Sequence, residues 1–185
     1  MARDTLPKSI YDEPPPKHVL LLSCMDTRLL DNAVHFMNQL NLQNRYDQLI
    51  FAGSAMGARL VTSTPVPNGP ALPWKAVFFD HLATAINVLK RDIKDILLLE
   101  HLDCGAYQCL HPDTAVQKEY KRLSEAREFS KMVPYHDKES RLFKKEIEAF
   151  CKVQHKAEGS TGPGRWKDIH VRSLVMDLVG RVTEL

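Results

Sequence analysis

His18-Val19-Leu20-Leu21-Leu22-Ser23-Cys24-Met25-Asp26-Thr27-Arg28 opens the part of the chain that decides its fold. Its first six residues form an apolar run without alternation, the pattern of a strand covered on both faces in a parallel sheet. Downstream, Leu29, Leu30, Ala33, Val34, Met37 and Leu40 recur at three- and four-residue intervals. That spacing predicts an amphipathic helix of about four turns with all six on one side. Residues 48–52 (QLIFA) read as a second buried strand. A helix follows over 74–90, carrying Val77, Phe78, Leu82, Ala85, Ile86 and Leu89, and 95–100 (DILLLE) reads as a third buried strand. This alternation predicts an α/β fold, a doubly wound, mainly parallel sheet flanked by helices, in which ligands sit beyond the carboxyl ends of the strands.

Working outward, residues 13–16 (Glu-Pro-Pro-Pro) can neither continue a helix nor donate to a ladder, so they divide an N-terminal arm, 1–16, from a single domain, 17–185. After the second strand, Gly53 and Gly57 flank a polar turn and 63–73 holds four prolines and a glycine, so this stretch reads as a loop. Residues 118–156 carry both charge signs with an intermittent apolar face (Leu123, Phe129, Leu142, Ile147, Phe150), the composition of solvated surface helices. The breaker 159–164 (GSTGPG) precedes strand-like composition over 169–178, and Gly180 marks a turn before Val182.

With 185 residues, 44% of them hydrophobic and 26% charged, the chain is long and apolar enough for one core, which excludes a disordered chain. Its 25 basic and 23 acidic residues leave a formal net charge of +2, too little to drive binding to nucleic acid or to an anionic membrane. The longest apolar runs fall far short of the ~20 residues of a membrane span. Asp4, Asp12 and Glu13 without an apolar core do not read as a secretory signal, which implies a cytoplasmic location. In reducing cytosol, four cysteines point to metal ligation or catalysis rather than to disulfides.

Two of the strand ends carry cysteines: Cys24 after the first, and His101-Leu102-Asp103-Cys104-Gly105 at the third. Zn²⁺ takes thiolate sulfur and imidazole nitrogen in a tetrahedron, and catalytic sites use three protein ligands with the fourth position open. Cys24, His101 and Cys104 make such a set, with Gly105 letting the backbone pass close by. Cys109 and Cys151 read as small buried or partly buried hydrophobes. Asp26 and Arg28, two apart, project to the same side of an extended segment and can form a charge-assisted pair. There is no CxxC to suggest redox chemistry.

CxDxR (Cys24, Asp26, Arg28) followed by HxxC-Gly (His101, Cys104, Gly105) resembles the β-class carbonic anhydrases, over residues 18–107 with a fainter echo in 169–185. The resemblance implies a sheet of order 2-1-3-4 plus an edge strand, and one Zn²⁺ per chain on Cys24, His101 and Cys104, with Asp26 and Arg28 as the catalytic dyad. It implies reversible hydration of CO₂ to bicarbonate by a zinc-bound hydroxide, in a homodimer or higher homo-oligomer whose arm embraces the partner. Where the family commonly has Gly and Ser around the histidine, this chain has Glu100 and Leu102, which would line the approach. Of the family's Arg-Asn-Ala-Gly run, Ile50-Phe51-Ala52-Gly53-Ser54 keeps only Ala-Gly. Two alternatives share these residues: a hydrolase of a sulfur analogue of CO₂, carbonyl sulfide or carbon disulfide, and a zinc-bound but inactive structural or regulatory module.

Overall fold

Five strands form one sheet in the order β2-β1-β3-β4-β5, with β1 at His18–Ser23, β2 at Tyr46–Ile50, β3 at Ile93–His101, β4 at His170–Met176 and β5 at Val182–Glu184. The first four are mutually parallel, as the alternation of strands and helices predicts, in the order that the resemblance implies, and the edge strand β5 returns antiparallel on β4. The computed structural model describes residues 18–61, 73–159 and 162–185. The arm 1–16, all of the proline-rich stretch except Pro73, and Ser160 and Thr161 of the breaker lie outside the described residues. No described helix is long and apolar enough to cross a membrane.

Leucine alternation along β1 and β3 explains why both faces are covered. Val19, Leu21, Leu97 and Leu99 pack against α1 (Leu30–Gln39), while Leu20, Leu22, Ile96 and Leu98 pack against the opposite layer. That layer contains α2 (Ser54–Leu60), α3 (Trp74–Ala83, continued by a π-helical turn over Thr84–Val88) and α6 (Val133–Glu158). Full burial of each such leucine contributes about 2 kcal/mol. Short helices α4 (Gly105–Cys109) and α5 (Thr114–Glu125) close the carboxyl edge over a third cluster of Met56, Cys104, Tyr107, Tyr120, Leu123 and Met132.

Several local expectations need correction. The first helix has 10 residues behind a 3₁₀ turn, Thr27–Leu29, and buries only Leu29, Ala33, Met37 and Leu40 of the expected stripe. Leu30 is 52% and Val34 41% exposed, because only the side of the helix that carries Leu29, Ala33, Met37 and Leu40 meets the sheet. Strand β2 lies two residues earlier than expected and is half-buried, being an edge strand. Residues 54–60 are a helix and not a turn: Ser54 to Ala58 are all buried. A Cβ at Gly57 would lie 2.0 Å from the Ala52 carbonyl oxygen, so the missing side chain lets α2 pack tightly on its own entry turn. Helix α6 is not a solvated surface helix, since it buries His136, Glu139 and Ser140 along with Phe143, Ile147 and Cys151.

The chain leaves β1 for β2 on one side and returns to β3 on the other. The carboxyl ends of β1 and β3 therefore flank the switch point at which doubly wound sheets bind ligands. Register places Ser23 beside both Ile50 and Leu99, so Cys24 emerges next to the end of β3.

Candidate metal centre

Cys24 leaves β1 just past its last paired residue, whereas His101 is the last residue of β3. Between His101 and Cys104 the chain turns through Asp103 at φ 57°, a left-handed conformation that aspartate tolerates better than most residues. The turn brings Cys104 back, and the ligand atoms of Cys24, His101 and Cys104 lie within 4.8 Å of one another. The two Sγ atoms are 3.7 Å apart and the cysteines are free. Tetrahedral coordination with Zn–S bonds near 2.3 Å requires about 3.8 Å between two sulfurs, while a disulfide requires about 2.05 Å. The spacing fits a metal.

His101 Nδ1 lies 2.9 Å from the Leu102 carbonyl oxygen, which only accepts, so Nδ1 carries a hydrogen and Nε2 faces the thiols. That Nε2 is buried without a hydrogen-bond partner, and a ring nitrogen orphaned beside two sulfurs fits a ligand to a soft or borderline cation. The Gly53 N–H donates to Cys24 Sγ at 3.3 Å.

Hydrogen bonding from Cys104, with the electrostatic influence of the neighbouring His101 ring and the Gly53 amide assisting against burial, pulls the Cys24 thiol down to about 4. Its thiolate and burial push Cys104 well above the ordinary thiol range. Burial acts to lower His101, but the Cys24 thiolate beside it outweighs this and the net shift is upward. Without metal the cluster thus retains a proton on Cys104 that a dication has to displace.

Asp26 and Arg28 do pair, though not through an extended segment. Asp26 caps the 3₁₀ turn, its Oδ1 accepting the Arg28 N–H at 3.0 Å. Arg28 Nε then reaches Oδ1 and Oδ2 at 3.0 and 3.2 Å, and Nη2 reaches Oδ2 at 2.7 Å. These bonds hold the Asp26 carboxyl down at about 2. Asp26 Oδ2 lies 3.8 Å from His101 Nε2, next to the donor cluster.

Sequence reasoning missed Asp103. Arg28 Nη1 donates to Asp103 Oδ2 and Nη2 to its carbonyl oxygen, both at 2.9 Å, tying the exit of β1 to the turn after β3. Ser124 on α5 donates to Asp103 Oδ1. The available signal was an aspartate, tolerant of positive φ, inside the tight His101–Cys104 spacing.

A cavity of about 20 Å³ adjoins the cluster, walled by Asp26, Leu29, Leu30, Ala33, Gln48 and Met176 among others. It admits roughly one water-sized molecule. Glu100 borders it, but its buried carboxylate bonds on the opposite side of β3 to Ala55 and His136 and does not line the approach as expected. Phe51 stacks on Trp74 at 5.5 Å, away from the cavity. Gly105 is not needed for a close approach, since a Cβ there would meet nothing within 4 Å. Cys151 is buried as expected, whereas Cys109 is exposed at the end of α4, and neither joins the cluster.

No family model matches the chain. It is 31% identical over 93 residues to uncharacterized proteins of Rickettsia conorii and Rickettsia bellii, the match covering 49% of this chain. The aligned part amounts to 44% and 49% of those relatives, so the match spans about half their length. Among solved structures the chain is similar to a carbonic anhydrase from Glaciozyma antarctica, at 17% identity, TM-score 0.45, and coverage of 100% of this chain and 88% of that one. It is also similar to a β-carbonic anhydrase of Aspergillus fumigatus (13% identity, TM-score 0.42, coverage 91% and 75%). A third likeness is to tetrameric β-carbonic anhydrases of Sordaria macrospora (17%, TM-score 0.40, coverage 91% and 80%).

Proposed function

We propose that this chain is a zinc-dependent lyase that hydrates CO₂ reversibly to bicarbonate. The observation that carries the reading is the Cys24, His101 and Cys104 donor set, with sulfurs 3.7 Å apart, beside an aspartate locked to an arginine. One Zn²⁺ per chain would be held by those three residues and would supply a water whose pKa falls from 15.7 toward ~7.

The remaining chemistry belongs to the chain. Arg28 keeps Asp26 ionised and acceptor-only, and the Asp26 cap fixes where that acceptor lies. Oδ2 is thereby positioned to accept a hydrogen bond from the attacking oxygen and to orient its lone pair toward the CO₂ carbon. Leu29, Leu30, Ala33 and Met176 give the small cavity the apolar walls that suit a linear, apolar triatomic. One CO₂ and one water yield bicarbonate and a proton, which must pass to solvent.

Those apolar walls suit carbonyl sulfide or carbon disulfide as well, so hydrolysis of such an analogue is the second reading. Among the described residues, Glu100 and Phe51 are both directed away from the cavity, which weighs against an inactive module blocked by either side chain. Leu30, in the cavity wall, and Val34, one turn further on, are both exposed and support burial against a second copy of the chain in a homodimer or larger homo-oligomer. We further propose a cytoplasmic location, an arm over 1–16 and a single domain over 17–185.

The test is stopped-flow CO₂ hydration at pH 7 and 8.5 by protein of measured zinc content, with carbonyl sulfide assayed in parallel. Near one zinc per chain with turnover of CO₂ is the expected result. Zinc with sulfide release alone selects the second reading, and zinc with neither activity overturns both.

A further inference from the structure

His101 and its chain neighbour Glu100 project to opposite faces of β3, and the Glu100 side is closed by an unbroken chain of buried hydrogen bonds. Glu100 Oε1 accepts the Ala55 N–H at 2.8 Å, while Oε2 faces His136 Nδ1 at 3.0 Å and the Tyr107 hydroxyl at 3.5 Å. A carboxylate only accepts, so Nδ1 carries a hydrogen. His136 Nε2 lies 2.7 Å from the Tyr120 hydroxyl, and the Tyr120 oxygen accepts the main-chain N–H of Cys104 at 3.2 Å. Glu100, Tyr107, Tyr120 and His136 are all buried. Tyr120 is further fixed by stacking on Tyr107 at 4.9 Å and by edge contact with Tyr135 at 5.9 Å.

Such a chain is costly to bury, and apolar residues of similar volume would stabilise the core at least as well. Its endpoints give it a use. One end is the main-chain N–H of Cys104. The other is the Ala55 N–H, two residues from the Gly53 N–H that donates to Cys24 Sγ at 3.3 Å. A single buried carboxylate thus holds the turn that presents one sulfur and the turn that contacts the other.

We propose that Glu100, His136 and Tyr120 are positioning residues that set the 3.7 Å spacing of the Cys24 and Cys104 sulfurs for a metal. The proposal rests on reading those residues and His101 as a metal centre.

The experiment titrates the full chain with Co²⁺, whose thiolate charge-transfer band reports sulfur coordination directly, and compares it with two variants. Tyr120→Phe removes one oxygen and keeps the ring contacts. Its Co²⁺ affinity should fall about 10- to 100-fold and its charge-transfer band should shift, with an unchanged far-ultraviolet dichroism spectrum. Glu100→Gln turns an amide N–H toward His136 Nδ1 and forces the ring hydrogen onto Nε2, so that the ring and the Cys104 N–H compete for the Tyr120 oxygen. It should weaken Co²⁺ binding similarly, and the ¹⁵N shifts of the His136 ring should exchange. Ile147→Val trims a different cluster on α6 and should leave band and affinity unchanged. Both variants binding Co²⁺ with the wild-type band and affinity overturns the positioning role while leaving the metal reading intact. A wild-type protein without any thiolate–cobalt band removes the metal reading itself. If Tyr120→Phe does not fold, Glu100→Gln decides alone, and if neither folds the chain serves folding and the proposal fails.

Discussion

On the α1 side of β3, His101 leaves a buried ring nitrogen without a hydrogen-bond partner, next to two thiols and an ionised carboxylate. One residue earlier and on the other side, each oxygen of Glu100 is engaged, and its partners are bonded in turn. The two sides share a strand, a depth of burial and a preference for polar groups, yet one is satisfied within the chain and the other is not. Burying an unsatisfied donor set costs stability, and such a cost is retained where a ligand recovers it. The difference separates a place that binds from a place that holds.

The harshest way to break the comparison is Cys104→Ser. A serine hydroxyl does not ionise near neutrality, so metal content should fall from about one per chain to under about a tenth, and the stabilisation by added Zn²⁺ should vanish with it. Metal analysis alongside thermal unfolding with and without Zn²⁺ checks both. Full zinc content in the variant would mean that the open side is not the binding side.

Asp26→Asn is milder, because asparagine still caps the 3₁₀ turn and Arg28 still holds Asp103. Zinc content should persist while CO₂ hydration falls about 10²- to 10³-fold. The same pair gives a stability difference of known sign. Asp26 sits at about 2 in the folded chain against an ordinary 3.8, so its contribution is complete above pH 3.8 and disappears as pH falls through 2. With Arg28 half exposed, screening limits that contribution to about 0.5 kcal/mol. Urea midpoints of the two metal-free proteins should therefore differ at pH 6 and converge at pH 2.

The closed side answers to Arg59→Ala. Arg59 on α2 donates to Glu139 on α6 through Nε at 3.0 Å, and Glu139 is buried. Removing the guanidinium strands a carboxylate whose other neighbours, the Lys138 ammonium and the His111 ring, are 3.8 and 3.9 Å away, at a cost of about 3 kcal/mol. Chemical denaturation should show that loss, with zinc stoichiometry unchanged. A coupled loss of metal would show that the two sides are not separable. On the open side, the proton retained by Cys104 must leave when a dication enters, so zinc affinity should rise about tenfold per pH unit for each proton displaced. Competition with a chelator from pH 6 to 8 measures that slope, and a flat profile would mean that the thiols are not ligands.

How far the sequence reaches follows the same division. The mainly parallel sheet and the donor triad were legible because each rests on local signals: uninterrupted leucine strands, helical periodicity, and cysteines and a histidine at strand ends; the order of the strands followed only from the family resemblance. Helix α2 was illegible because Gly53, Ser54 and Gly57 carry turn chemistry, and only its tight packing on Ala52 shows why glycine is needed inside a helix. The closed side was illegible for a different reason. His136, Glu139 and Ser140 occupy the buried stripe of α6, and the partners of His136 and Glu139 lie on β3, α5 and α2, so along the chain they resemble the charged face of a surface helix. Arg28 and Asp103 likewise find each other only after the sheet has formed.

The smallest effect sharpens the comparison by lying outside it. Asp113 precedes α5 with extended backbone, and its Oδ1 accepts the Ala115 N–H at 2.8 Å, satisfying one of the four amides that a helix leaves open at its start. Replacing it with alanine returns that amide to solvent and should cost about 1 kcal/mol in chemical denaturation. Because α5 also carries Tyr120 and Ser124, the measurement that matters is the metal. If the closed side holds the site through specific hydrogen bonds, Asp113→Ala should leave Co²⁺ affinity and spectrum at their wild-type values. If general loosening of α5 is enough to disturb the sulfurs, both should move with stability, and Tyr120 would then matter only as part of a helix.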